Sequence, residues 1–230
     1  MKNLVIVFST FKVDSATKDY NLNRQNEYST CFRQILRILP PEYEAVFIDN
    51  SIEKIEDLES EKLKNTISSL NLLLTTKNFG LRNKGVGELV MLTQVSQVID
   101  LSKYNIISYC TGRKFFTCPY PFEKSMQTDK SATVSNPDFQ FLNGEFREVA
   151  KGMFNDMFFS MRSDVMIKFI QFTVPRLQAM ESLMINSETN LYQFIHENNI
   201  DHHIIGTLGI VRNEQSIKDP YDSIENFHIC

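Results

Sequence analysis

Lys77-Asn78-Phe79-Gly80-Leu81-Arg82-Asn83-Lys84-Gly85-Val86-Gly87-Glu88 joins an apolar run that reads as a strand, Leu72 to Thr76, to a segment that reads as a helix, Glu88 to Ile99. Three glycines within eight residues let backbone amides approach a ligand closely, and Lys77, Arg82 and Lys84 set three cations around them. An anionic ligand such as a diphosphate needs that combination. A basic, glycine-containing turn that merely connects strand to helix would look the same, since such turns are common in α/β units. Two familiar phosphate motifs come near and fail. Val86-Gly87 stands where a P-loop needs Lys-Ser/Thr, and Val90 stands where a dinucleotide fingerprint needs its third glycine.

Working outward, Leu4-Val5-Ile6-Val7-Phe8 is a continuous apolar run, as expected of a strand buried on both faces of a parallel sheet, and Ser9-Thr10 end it. The polar segment from Lys12 to Asn26 has no clear period and reads as a long loop, functional or disordered. Phe32, Ile35, Leu36 and Leu39 fall at helical spacing until Pro40-Pro41, and Ala45 to Ile48 is a second buried strand. The right-handed crossover of such a β-α-β unit places both carboxyl ends on one side of the sheet, where open α/β sheets bind ligands. Ser9 and Thr10 lie at the first of those ends, and Asp49 and Asn50 at the second. Asp49 is placed there to accept hydrogen bonds from a ribose or a base, or to form an Asx turn.

Charged residues from Glu53 to Lys64 suggest one surface helix or two short ones. Val90, Met91, Gln94, Val95 and Val98 mark the inner face of the helix after the glycine stretch. Asn105 to Cys110 reads as a fourth strand ending in Thr111-Gly112-Arg113-Lys114, again a glycine and two cations at a carboxyl end. The aromatic and proline-rich segment from Phe115 to Lys130 reads as irregular, either a wall for a sugar face or rings packed on the core. Short strands are expected at Ala132–Val134 and Phe139–Phe141, and a longer one from Asp156 to Met161. Helices follow from Val165 to Phe172 and from Ser187 to Asn198, the latter with Ser187 as cap and Glu188 in its first turn. Asp201 to Val211 reads as a last strand or extended segment.

Composition bounds the function. With 230 residues, 42% hydrophobic and 23% charged, the chain can bury one substantial core. The reading is a single domain over residues 1–211 and a tail over 212–230. A net charge of −4 argues against general nucleic-acid binding, which needs clustered positive charge. Cys31, Cys110, Cys118 and Cys230 are too widely spaced for a zinc site and too few for a stapled secreted scaffold, which points to a reducing, cytoplasmic setting. No stretch approaches the roughly 20 apolar residues of a transmembrane helix. His202-His203 do not suggest a metal, because neighbours on a strand point to opposite faces.

In this order the elements resemble the GT-A glycosyltransferase fold, a mostly parallel, twisted, Rossmann-like α/β sheet flanked by helices. The likeness is to small bacterial and viral sugar transferases of polysaccharide biosynthesis. These carry an Asn-x-Gly-x-x-Asn-x-Gly-x-Gly-Glu stretch, here Asn78 to Glu88, and then a strand ending in Gly-Arg, here Gly112-Arg113. The resemblance implies a nucleotide-sugar donor, a glycan or lipid-linked acceptor, and no cofactor besides. It places Ser9, Thr10, Asp49, Asn50, Asn78, Arg82, Lys84, Gly85, Gly87, Glu88, Thr111, Gly112 and Lys114 against the donor.

One departure matters: GT-A enzymes typically hold a divalent metal through Asp-x-Asp at the end of the fourth strand, and this chain contains no Asp-x-Asp. Arginine and lysine can neutralise a departing diphosphate by charge-assisted hydrogen bonds instead. Arg113, which stands where the metal motif would lie, is therefore expected to act in catalysis with Lys77, Arg82, Lys84 and Lys114, and no metal site is expected. An inverting transfer also needs a carboxylate to take the acceptor's proton. Glu188 resembles that base in the related family-two pattern, with Asp156 second; an acidic residue in a helix's first turn is equally what the helix dipole favours. A sugar nucleotidyltransferase, or a binding module without catalysis, are the alternatives.

Overall fold

The computed structural model describes residues 1–75, 83–135, 140–142, 145–147, 152–206 and 208–211. Seven strands form its main sheet: β1 (Asn3–Ser9), β2 (Tyr43–Asp49), β3 (Leu72–Leu74), β4 (Ile106–Thr111), β6 (Ala132–Ser135), β9 (Asn155–Arg162) and β10 (His202–Ile205), in the order β10-β6-β9-β4-β1-β2-β3. The shorter strands β5 (Phe115–Phe116), β7 (Gln140–Leu142), β8 (Glu145–Arg147) and β11 (Ile210–Val211) form two antiparallel pairs, β5 with β11 and β7 with β8. Within the main sheet only β9 runs against its neighbours, pairing antiparallel with both β4 and β6. All other pairings are parallel, so six strands present their carboxyl ends on one side.

β1 shows why a central strand is apolar at every position. Leu4, Ile6 and Phe8 enter a core shared with helices α3 (Lys84–Val98), α5 (Ser163–Thr173), α6 (Leu177–Leu183) and α7 (Ser187–Glu197). Val5 and Val7, on the other face, pack with α1 (Lys18–Ile38), α2 (Glu61–Ile67) and α4 (Tyr120–Gln127). Each such buried side chain contributes about 1.5–3 kcal/mol.

The α/β class and the mostly parallel sheet agree with the sequence. Several boundaries do not. The stretch read as a loop over Lys12–Asn26 becomes helix from Lys18, capped by the Thr17 hydroxyl, which accepts from the Tyr20 amide at 3.3 Å. Its inward positions, Asn21, Arg24 and Gln25, are polar yet buried, which removes the apolar period by which a helix is recognised. Leu36, expected inside, is 42% exposed. In α3 the helix begins at Lys84, four residues before the expected start, and its buried stripe runs through Val86, Leu89, Met91, Leu92 and Val95, while Val98 is 68% exposed. Phe115–Lys130 is ordered as β5 and α4, the helix starting at a Tyr120-Pro121 step whose proline suits the first turn. Residues 201–211 split into β10 and β11, which belong to different sheets. Phe139 and the tail, 212–230, lie outside the described residues.

Candidate active site

The site grows from the carboxyl ends of β1 and β4, neighbours at the centre of the sheet. After β1 the chain is tied down by side chains from β2 and α1. Asn50 Oδ1 accepts from the Thr10 hydroxyl at 2.8 Å, and the Tyr28 hydroxyl accepts from the Thr10 amide at 3.0 Å. Arg24, 8% exposed, donates from Nε to the Thr10 carbonyl at 2.5 Å and from Nη2 to the Tyr28 hydroxyl at 3.3 Å. After β4, the Gly112 amide donates to the Phe8 carbonyl at 2.8 Å, locking the two strand ends together. A Cβ on Gly112 would lie 2.7 Å from both Phe32 Cε1 and that carbonyl, so only glycine fits. The next residue, Arg113, emerges half-buried and pairs through Nε with Glu27 Oε2 at 2.9 Å.

Between these ends lies a pocket of about 220 Å³. Ser9 and Thr10 line it from β1, Arg24 and Tyr28 from α1, Lys84 and Glu88 from α3, and Thr111, Arg113 and Lys114 from the end of β4. Among the described residues, four cations thus line this cavity with one carboxylate, Glu88.

A second cluster adjoins it. Asp156 on β9 accepts a short hydrogen bond from the Ser187 hydroxyl at the start of α7. Burial, and after it the charges of Glu88 and Glu188, push its carboxyl up to about 7, against the opposing pull of Ser187 and Lys84. Lys84 is held above the usual lysine range by Glu88, whose Oε1 is 3.4 Å from its ammonium. Glu188 sits in the first turn of α7, half-buried. The cap of that helix is Asn186, accepting from the Thr189 amide at 2.8 Å; Ser187, expected as the cap, instead turns to Asp156. Lys84 and Glu88 belong to both clusters and join them into one site. Among the described residues, no group of three or more His, Cys, Asp or Glu is placed to hold a metal ion.

The sequence-derived candidates therefore divide. Ser9, Thr10, Lys84, Glu88, Thr111, Arg113 and Lys114 meet in the pocket, with Asp156 and Glu188 beside it. Gly85, within α3, packs against Ser187 and Gly112 against Phe32 and Tyr28, so both serve close packing, while Gly87 is buried within α3. Asp49 is wholly buried beneath, its carboxylate accepting from the amides of Phe11 at 2.8 Å, Ser51 at 2.8 Å and Ile52 at 3.2 Å and from the Ser51 hydroxyl at 2.7 Å. Asn50 acts through Thr10. Lys77, Asn78 and Arg82 lie outside the described residues. Arg24 and Tyr28 were not foreseen, because they stand on the part of α1 that lacks an apolar stripe; the available signal was Thr17 followed by Asp19, a capping residue and a first-turn acid.

Comparison with family models and with curated proteins finds no match. Solved structures do match. One, from Desulfovibrio desulfuricans G20, is described as a "putative nucleotide-diphospho-sugar transferase" and superposes with a TM-score of 0.57 at 11% identity, over 90% of this chain and 80% of that one. The chain shares the nucleotide-diphospho-sugar transferase fold. A second, the 4-diphosphocytidyl-2C-methyl-D-erythritol synthase of Anaerococcus prevotii DSM 20548, gives a TM-score of 0.54 at 8% identity, over 96% of this chain and 94% of that one. Among the described residues, no helix is long and apolar enough to cross a membrane.

Proposed function

We propose that this protein is a cytoplasmic glycosyltransferase that moves a sugar from a nucleotide-diphosphate donor to a glycan or lipid-linked acceptor, with inversion and without a divalent metal or other cofactor. The observation that carries this reading is the meeting of Lys84, Arg113 and Lys114 in one pocket, with Asp156 and Glu188 alongside. Transfer breaks the bond between the anomeric carbon and the diphosphate oxygen and forms one to the acceptor oxygen. Negative charge grows on the diphosphate, where the three cations that line the pocket stabilise it. The acceptor's hydroxyl proton goes to a carboxylate. Two carboxylates stand there to take it: Glu188 in the first turn of α7, and Asp156, whose carboxyl burial pushes up to about 7.

The likeness to the 4-diphosphocytidyl-2C-methyl-D-erythritol synthase favours a second reading, a nucleotidyltransferase that makes an activated sugar and releases pyrophosphate. One experiment separates the two. Purified protein is incubated with a panel of nucleotide-sugars in EDTA, and separately with nucleoside triphosphates, sugar phosphates and Mg²⁺. Slow donor hydrolysis in EDTA supports glycosyl transfer, whereas pyrophosphate release that requires Mg²⁺ supports the second reading and sinks the first. Under the first reading Arg113→Ala lowers the rate about tenfold or more with the fold intact; an unchanged rate removes Arg113 from the mechanism.

A further inference from the structure

Tyr109 lies on β4, two residues before Thr111, and is wholly buried. Its ring is held between Phe8, with centroids 4.3 Å apart, and Phe159, at 4.6 Å, both in stacked geometry. A phenylalanine would fill that stack equally well, so the hydroxyl must answer another need. It donates to Glu88 Oε2 at 2.5 Å. The second oxygen of the same carboxylate faces outward, 3.4 Å from the Lys84 ammonium one helical turn earlier. The Glu88 side chain is 9% exposed, whereas that of Lys84 is 79% exposed and lines the pocket.

The three groups form a graded series from the centre of the sheet to the ligand cavity. At the inner end, two flanking rings fix the tyrosine, and a fixed ring leaves its hydroxyl one position in the plane. That position pins one oxygen of Glu88, and the pinned carboxylate presents the other to Lys84. A buried carboxylate demands such partners, because an unpaired charge in this setting would be costly. Left to itself, Lys84 would sample many rotamers, and immobilising such a side chain on binding carries an entropic cost.

We propose that Tyr109 is a positioning residue: through Glu88 it fixes where the Lys84 ammonium meets the anionic ligand. The nature of that ligand as a nucleotide-sugar diphosphate rests on the function proposed above; the positioning itself does not. The charge of Glu88 also acts on Asp156, so the same pin bears on both carboxylates.

The test has two arms. In the first, acetylation of Lys84 by N-hydroxysuccinimidyl acetate is followed by peptide mass spectrometry, with Lys130, at the opposite end of the sheet, as reference. Glu88→Gln removes the charge that holds the Lys84 proton and should raise its acetylation rate about threefold. Tyr109→Phe keeps the stack but frees Glu88 towards water, where its hold on the ammonium is screened, and should raise the rate by about twofold. The double variant should match Glu88→Gln alone. A wild-type rate in Tyr109→Phe, or a double variant well above Glu88→Gln, overturns the proposal. Should Tyr109→Phe melt below the labelling temperature, Glu88→Asp, too short to span Tyr109 and Lys84 together, must give the same rise.

The second arm measures binding of UDP-glucose, GDP-mannose and dTDP-glucose by calorimetry. Tyr109→Phe should weaken the tightest of them about fivefold in the wild-type background and leave it unchanged in Lys84→Ala, a non-additivity that a merely structural tyrosine would not produce. Success in the first arm with no nucleotide-sugar bound in the second upholds the positioning and rejects the donor reading. Failure in the first arm rejects the positioning whatever binds.

Discussion

Gly85 stands directly against Ser187: a Cβ on the glycine would lie 2.6 Å from the serine hydroxyl and 2.7 Å from its backbone nitrogen. The amino ends of α3 and α7 thus touch at the point where Ser187 holds Asp156. Asn83, the cap of α3, reinforces the junction by donating to the carbonyls of Met180 at 3.3 Å and Ile185 at 2.6 Å. The approach brings Glu88 and Lys84 on one helix to Glu188 on the other.

Gly85→Ala is therefore expected to push the two helices apart. The clash is with backbone as well as with a hydroxyl, so rotation of the serine cannot relieve it, and overpacking of this kind costs about 1–3 kcal/mol. Denaturant unfolding checks the cost. Donor turnover should fall further than the lost stability explains, because Asp156 loses its serine; a fall in stability alone, with turnover intact, would separate the junction from the chemistry.

Asp156 predicts a pH dependence of definite sign. Folded, it keeps its proton to about 7, against 3.8 for an ordinary aspartate. Across that window the folded chain binds more protons than the unfolded one, so the stability contributed at this site falls as pH rises from about 4 to about 7 and is level thereafter. Asp156→Asn should accordingly stabilise the protein by about 1–3 kcal/mol at pH 8 and leave it unchanged at pH 3 to 4. Activity should run the other way, rising with pH through about 7 in the wild type and lost in Asp156→Asn. Full activity in that variant, combined with its loss in Glu188→Gln, would assign the proton to Glu188.

Asp49→Asn tests whether that carboxylate serves the fold or the ligand. An amide group in its place turns a donor towards one of the donors that Asp49 now satisfies, either Phe11 or the Ser51–Ile52 turn, and leaves a buried group unpaired. The expected loss is about 1–3 kcal/mol in unfolding free energy. An unchanged midpoint with weakened nucleotide binding would return Asp49 to the ligand.

The division between what could be read from the chain and what could not follows from the range of the forces involved. Continuous apolar runs at Leu4–Phe8 and Ala45–Ile48 determined the two-sided central sheet by themselves, because burial on both faces leaves no polar alternation. The turn after Cys110 announced its cations in the same way, since Thr111 to Lys114 are adjacent in sequence. The amino half of α1 was hidden because its inward face is Asn21, Arg24 and Gln25, whose burial is compensated by hydrogen bonds to distant backbone such as Thr10 and Ser60. Nor could the chain alone show that Gly85 serves a helix contact, that Ser187 turns from cap to hydrogen-bond donor, or that Tyr109 meets Glu88. Each depends on a partner between 21 and 102 residues away, and only the folding of β4, β9, α3 and α7 around one point sets those distances and the charges that act across them.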